Sequence, residues 1–172
     1  KAGIKNVVVM SQGFESEQGK LLLAELRKIA KKFHINLVGP NSLGIQTPAL
    51  NASYASHSPK PGSVGLLSQS GAIVTGLPAD LEPIGFSKVV ALGNQACMDI
   101  SDFAKELAAD PETKVIAGYV EQIPDGKKFV DVISRVTREK PVVMIKSGKS
   151  AAGAQASMSH TGSLGGSNAA YE

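Results

Sequence analysis

A run of Ser, Gly, Ala and Lys extends over residues 147–166, and near its centre Ser159-His160-Thr161-Gly162 contains the one strong nucleophile of the segment. A polar stretch of about twenty residues in an α/β chain is more often functional or disordered than filler. An imidazole accepts a phosphoryl group at one nitrogen when its other N–H is held by a carboxylate, which fixes the tautomer and steadies charge on the ring. Glu121, directly after an apolar run beginning at Val115, is the candidate carboxylate. Ser70-Gly71 opens a helical pattern, where free backbone N–H groups and the positive end of the helix dipole suit a phosphate. On spacing alone the plain alternative stays open: a capped helix, a glutamate in a turn and a histidine in a polar loop.

The elements that must position these residues are legible as periodicities. Val7-Val8-Val9-Met10, an amphipathic run from Glu17 to Phe33 and Asn36-Leu37-Val38 read as strand, helix, strand. Between residues 39 and 62 Pro, Asn, Ser and Gly interrupt any period, as a connection between domains does. Beyond it, apolar strand patterns begin near Val64, Val89, Val115 and Val142 with helical patterns between the later ones, the spacing of repeated βα units. Asp99 and Ser101 are suited to cap a helix over 102–109, and a further helix is expected over about 126–138. Pro78 predicts a kinked or shortened helix in the first crossover. The expected fold class is α/β, a flavodoxin-like doubly wound parallel sheet over 63–172, preceded by a linker over 48–62 and by the βαβ unit.

In such sheets ligands sit at the carboxyl ends of the strands. The turns there read Ser68-Gln69-Ser70-Gly71, Gly93-Asn94-Gln95, Glu121-Gln122 and Lys146-Ser147-Gly148, which gathers anion donors, a carboxylate and a lysine on one edge.

Composition narrows the class. Aromatics are 5% of the chain and Trp is absent, while Val, Ile, Leu and Ala dominate, which suits strands buried between small-residue helices. A net charge of +3, scattered without a basic stripe, predicts no nucleic-acid partner. The single cysteine, Cys97, rules out an internal disulfide and points to a reducing, cytoplasmic setting with no metal site. No apolar run reaches the roughly 18 residues of a membrane span and no signal-peptide pattern opens the chain, so no membrane partner is expected. His34 reads as a helix-end residue and His57 as part of the connection. Both termini read as cut from a longer protein, with the second domain truncated at its C-terminal end.

Gly39-Pro40-Asn41-Ser42-Leu43-Gly44, Ser68-Gln69-Ser70-Gly71-Ala72, Tyr119-Val120-Glu121 and the run from Lys146-Ser147-Gly148 to Ser159-His160-Thr161-Gly162-Ser163-Leu164-Gly165-Gly166 follow one another in an order that resembles the NDP-forming acyl-CoA synthetases of the ADP-forming acetate–CoA ligase type, relatives of the succinyl-CoA synthetase alpha subunit. The similarity covers nearly the whole chain. It implies that acyl-CoA, phosphate and a nucleoside diphosphate are interconverted with acid, CoA and the triphosphate through a phosphohistidine. His160 then carries the phosphoryl group and Glu121 orients it; Ser70, Gly71, Ala72, Thr161 and Gly162 contact phosphate. By the same resemblance, residues 1–47 are the C-terminal part of a Rossmann-like CoA-binding domain, with Met10, Ser11 and Gln12 along CoA and Asn41 near its thiol end. Partners implied are an ATP-grasp domain or beta subunit, which holds ATP/ADP with Mg, a small carboxylic acid, and further subunits of a homo- or hetero-oligomer. The fragment alone is expected to be inactive. Thr75 stands where succinyl-type subunits have a tyrosine, so acetate, propionate or a branched or aryl acid is expected rather than a dicarboxylate.

Three other functions are compatible with parts of this pattern. A CoA- or acyl-CoA-sensing regulatory module of a fused acetyltransferase would not need the histidine. A flavin binder rests on topology alone and lacks aromatics. A hydrolase with Ser70 as nucleophile fails the G-x-S-x-G pattern, because Ser68 and Ala72 occupy the glycine positions.

Overall fold

The structure is a computed structural model that describes residues 3–80 and 83–148. Strand β1 (Asn6–Val8), helix α1 (Glu17–Phe33) and strand β2 (Asn36–Val38) form one βαβ unit, with the strands parallel and Val7 opposite Leu37. Ser16 begins α1 by accepting the Gly19 N–H at 3.0 Å, and His34 ends it in the left-handed region at φ 52°. Lys31 and Lys32 in the last turn suit the negative end of the dipole.

The second sheet has six strands in the order β4-β3-β6-β5-β7-β8. Its parallel centre is β5 (Pro61–Ser68), β6 (Phe86–Ala91), β7 (Val115–Val120) and β8 (Val142–Lys146), the four strands expected from the apolar runs. The residues 44–53 add a feature that the sequence pattern does not announce. Strands β3 (Gly44–Gln46) and β4 (Asn51–Ser53) make a hairpin, and β3 runs antiparallel to β6 with Ile45 opposite Val90 and Gln46 opposite Val89. Three-residue strands in a Pro-, Asn- and Ser-rich run are too short to show an alternation.

Alternate residues of the central strands enter two different cores, as a period of two requires. Leu67, Val90, Ile116 and Val120 pack with Phe103, Leu107, Phe129 and Val132 of α3 (Ile100–Ala109) and α4 (Gly126–Val136). Leu66, Val89 and Ala91 pack with Val74 of α2 (Gly71–Asp80) on the other face. Helix α2 includes Pro78 and reaches only Asp80. Pro78 lies in the last turn of α2, so its missing N–H removes only one hydrogen bond. Helix α3 begins earlier than expected: Asp99 is the cap, accepting from Ser101 at 2.8 Å and Asp102 at 3.2 Å, while Ser101 lies inside the helix. Among the described residues no helix is long and apolar enough to cross a membrane.

Candidate functional site at the carboxyl edge

The parallel strands β6, β5, β7 and β8 end on one edge, at Ala91, Ser68, Val120 and Lys146. Gln69, the first residue past β5, donates its N–H to the Tyr119 carbonyl at 3.0 Å. Its Oε1 accepts the N–H groups of Glu121 at 2.7 Å and Gln122 at 2.9 Å. Gln95 ties in the next turn: Nε2 donates to the Gln122 carbonyl at 3.0 Å and Oε1 accepts the Ile100 N–H at 2.8 Å. The Ser147 N–H donates to the Val120 carbonyl at 3.0 Å. These side-chain crosslinks hold Glu121 beside the loop that leads into α2. Glu121 is 7% exposed, and among the described residues its carboxylate has no hydrogen bond or ion pair. Its oxygens keep some solvent exposure, so a ligand arriving at this edge can reach the carboxylate.

The start of α2 differs from the other helices. Ser16, Asp99 and Asp125 cap α1, α3 and α4 with their own side-chain oxygens. Before α2, the Ser68 hydroxyl accepts the Ser70 N–H at 3.0 Å and donates to the Ser70 carbonyl at 2.9 Å. That fixes the turn, yet among the described residues the N–H groups of Gly71, Ala72 and Ile73 have no acceptor. Gly71 packs against the Leu43 side chain: a Cβ there would stand 2.6 Å from Leu43 Cδ1, which would have to shift. Ser70, Gly71, Ala72 and Glu121 therefore share one edge of the sheet. The remaining residues of the predicted site, His160, Thr161 and Gly162, lie outside the described residues.

The carboxyl ends of β1 and β2 meet this edge from the side. Asn41, left-handed at φ 57°, donates its N–H to the Ser11 carbonyl at 2.9 Å, and its Nδ2 reaches Asn94 Oδ1 at 3.4 Å. The Asn94 N–H donates to the Pro40 carbonyl at 2.8 Å and the Ala96 N–H to the Gly39 carbonyl at 2.9 Å. Ser11 and Gln12 are exposed and Met10 is half-buried, so a ligand can lie along all three. Cys97 is half-buried behind this turn; burial pushes its thiol up, and the Arg27 charge offsets part of that rise. Sequence reasoning placed Gln69 and Gln95 in the right turns but assigned them no task, since their partners are distant in the chain. It also missed Gln46 and His57, which line a cavity beside α2.

Residues 61–172 match the family described as the succinyl-CoA ligase like flavodoxin domain. The chain belongs to this family. Relatives of this flavodoxin-like ligase domain extend across the rest of the chain as well. The chain is 46% identical to acetate–CoA ligase [ADP-forming] I of Archaeoglobus fulgidus over 98% of its own length and 25% of that protein's. It is 43% identical to the acetate–CoA ligase [ADP-forming] II subunit alpha of Pyrococcus furiosus, over 99% of this chain and 38% of the relative. Among solved structures, the dinucleotide forming acetyl-coenzyme A synthetase 1 of Ca. Korarchaeum cryptofilum, in complex with phosphate and ADP, superposes with a TM-score of 0.89 at 39% identity, covering 99% of this chain and 38% of that one. The chain thus spans between a quarter and two-fifths of the length of these relatives.

Proposed function

We propose that this chain is the phosphohistidine-bearing part of an NDP-forming acyl-CoA synthetase, an acid–CoA ligase that interconverts acyl-CoA, phosphate and NDP with acid, CoA and NTP. The observation that carries the reading is the unpartnered Glu121 carboxylate, held by Gln69 beside the uncapped start of α2. The names of the relatives favour a ligase over an acyl-CoA-sensing regulatory module.

In the thioester-consuming direction a phosphate oxygen attacks the acyl carbonyl, the C–S bond breaks and CoA leaves as the thiol. The N–H groups of Gly71 and Ala72, with Ser70 beside them, hold the phosphate as its charge moves, the kind of preorganised donation that supplies much catalytic stabilisation. An imidazole nitrogen of His160 then attacks phosphorus, the P–O bond to the acyl group breaks and the carboxylate leaves. Glu121 accepts the other imidazole N–H and balances the positive charge on the ring. Thr161 and Gly162 contact the transferred group. Attack by the terminal oxygen of NDP breaks the P–N bond and releases NTP; the nucleotide and its Mg belong to an ATP-grasp domain or beta subunit.

CoA fits the strip of half-buried Met10 and exposed Ser11 and Gln12, with Asn41 at the junction of the two sheets, where its thiol end would meet the phosphate edge. The substrate is a small carboxylic acid, and further subunits are expected in the assembly.

The test uses the complete protein and NTP labelled in its terminal phosphate. Acid-labile, base-stable label should appear on the protein, be absent from His160→Asn and form slower in Glu121→Gln by on the order of 100-fold. Label that persists in His160→Asn would overturn the reading.

A further inference from the structure

Beside α2, one turn past the uncapped amides, lies a cavity of about 470 Å³, within the roughly 300–1,000 Å³ of small-molecule sites. Val74 and Pro78 give it an apolar wall, while Thr75 and His57 add polar groups. Gln46, the last residue of β3, also lines it. Gln46 is 1% exposed, and its Nε2 is buried with no hydrogen-bond partner among the described residues. Its neighbour Ile45 packs into the α3–α4 core, so the alternation of the strand turns Gln46 to the α2 face. A buried amide left unpaired costs about 1–3 kcal/mol, and a leucine or methionine in that place would avoid the cost. A glutamine there has an amide N–H free to donate to an acceptor that enters the cavity.

The distance fits the chemistry of the edge. Val74 and Thr75 stand one turn beyond Gly71, about 6 Å along the helix axis, which is the length of a short acyl chain. An acyl phosphate held by the amides at the start of α2 lays its chain along the helix into this space. We infer that the cavity is the acyl pocket and that Gln46 selects its occupant, donating through Nε2 to a hydroxyl or carbonyl oxygen near the far end of the acid. The substrate class is then short acids that carry such an oxygen, in preference to plain alkyl acids. This inference rests on the proposed phosphate site at α2.

A site built to hydrogen-bond an oxygen rejects the analogue that lacks it far better than a greasy pocket discriminates by size. The complete protein is assayed for acyl-CoA formation from CoA, NTP and paired acids: 4-hydroxybutyrate against butyrate, and 4-oxopentanoate against pentanoate. The wild type should favour the oxygenated member of each pair by about tenfold or more in kcat/KM, and Gln46→Met should bring the ratio close to one. Thr75 is exposed, so Thr75→Phe is compatible with folding; filling the cavity from the helix, it should shift selectivity from the four- and five-carbon acids towards acetate by about tenfold. Ratios unchanged in both variants of an active enzyme would overturn the pocket and leave the ligase reading standing. A wild type that forms neither acyl-CoA nor phosphohistidine would overturn both.

Discussion

Gln69 holds Glu121 by a reciprocal tie. The Gln69 N–H donates to the Tyr119 carbonyl and its Oε1 receives the N–H groups of Glu121 and Gln122, so one side chain at the end of β5 sets the course of the chain as it leaves β7. The carboxylate beside the start of α2 is thereby placed by a residue that needs no contact with substrate.

Replacing Gln69 by Leu strands the buried Glu121 N–H and should cost about 1–3 kcal/mol, read as a lower urea midpoint at unchanged slope. Gln69→Glu keeps an acceptor and should recover most of that loss. It also adds a negative charge beside the phosphate site, so in the complete protein the KM for phosphate should rise.

Gly93 joins the two sheets in a conformation that other residues resist. Its φ is 58°, and a Cβ would stand 2.2 Å from the Pro40 carbonyl oxygen and 2.9 Å from the Asn41 backbone. Gly93→Ala combines backbone strain with a clash against main chain, and a loss of about 2 kcal/mol or more is expected. Thermal unfolding would reveal it; a wild-type midpoint would contradict the geometry.

Asp110 gives the fold an acid-sensitive anchor. Burial alone would raise its carboxyl, but hydrogen bonds from Lys88 and Thr113, with the Lys88 charge, more than offset this and hold it below the ordinary carboxylate range. Its contribution is therefore complete above the ordinary value of about 4 and is lost as pH falls through the lowered value of the folded state. Asp110→Asn, which can still accept from Thr113, should flatten the acid limb of unfolding free energy against pH.

Lys128 acts in the opposite window. Burial would lower its ammonium, but hydrogen bonds to Asp102 at 2.7 Å and Asp99 at 3.0 Å, with the charges of both, raise it above the ordinary lysine value. The stabilisation is complete below about 10.4 and is lost as pH rises through the raised value. Lys128→Met should remove an alkaline loss of stability, with an effect near neutrality of no more than about 1 kcal/mol because the pair is partly exposed.

What the sequence determined by itself is local. Glu17–Phe33 and Asn36–Val38 are readable in the sequence, as is the presence of the four central strands, because apolar periods and capping side chains act over a few residues, although β5 and β6 begin three residues before their apolar runs. The turns that would carry chemistry were legible for the same reason, each standing just past a strand. What only the tertiary structure decided is which of those turns meet. Gln69 and Glu121 are 52 residues apart, Gln95 and Gln122 are 27 apart, and Gln46 reaches the α2 cavity only because a three-residue strand pairs with β6. Sheet order arises from the burial of two faces of the same strands, a property of all the elements together, and no window of sequence contains it.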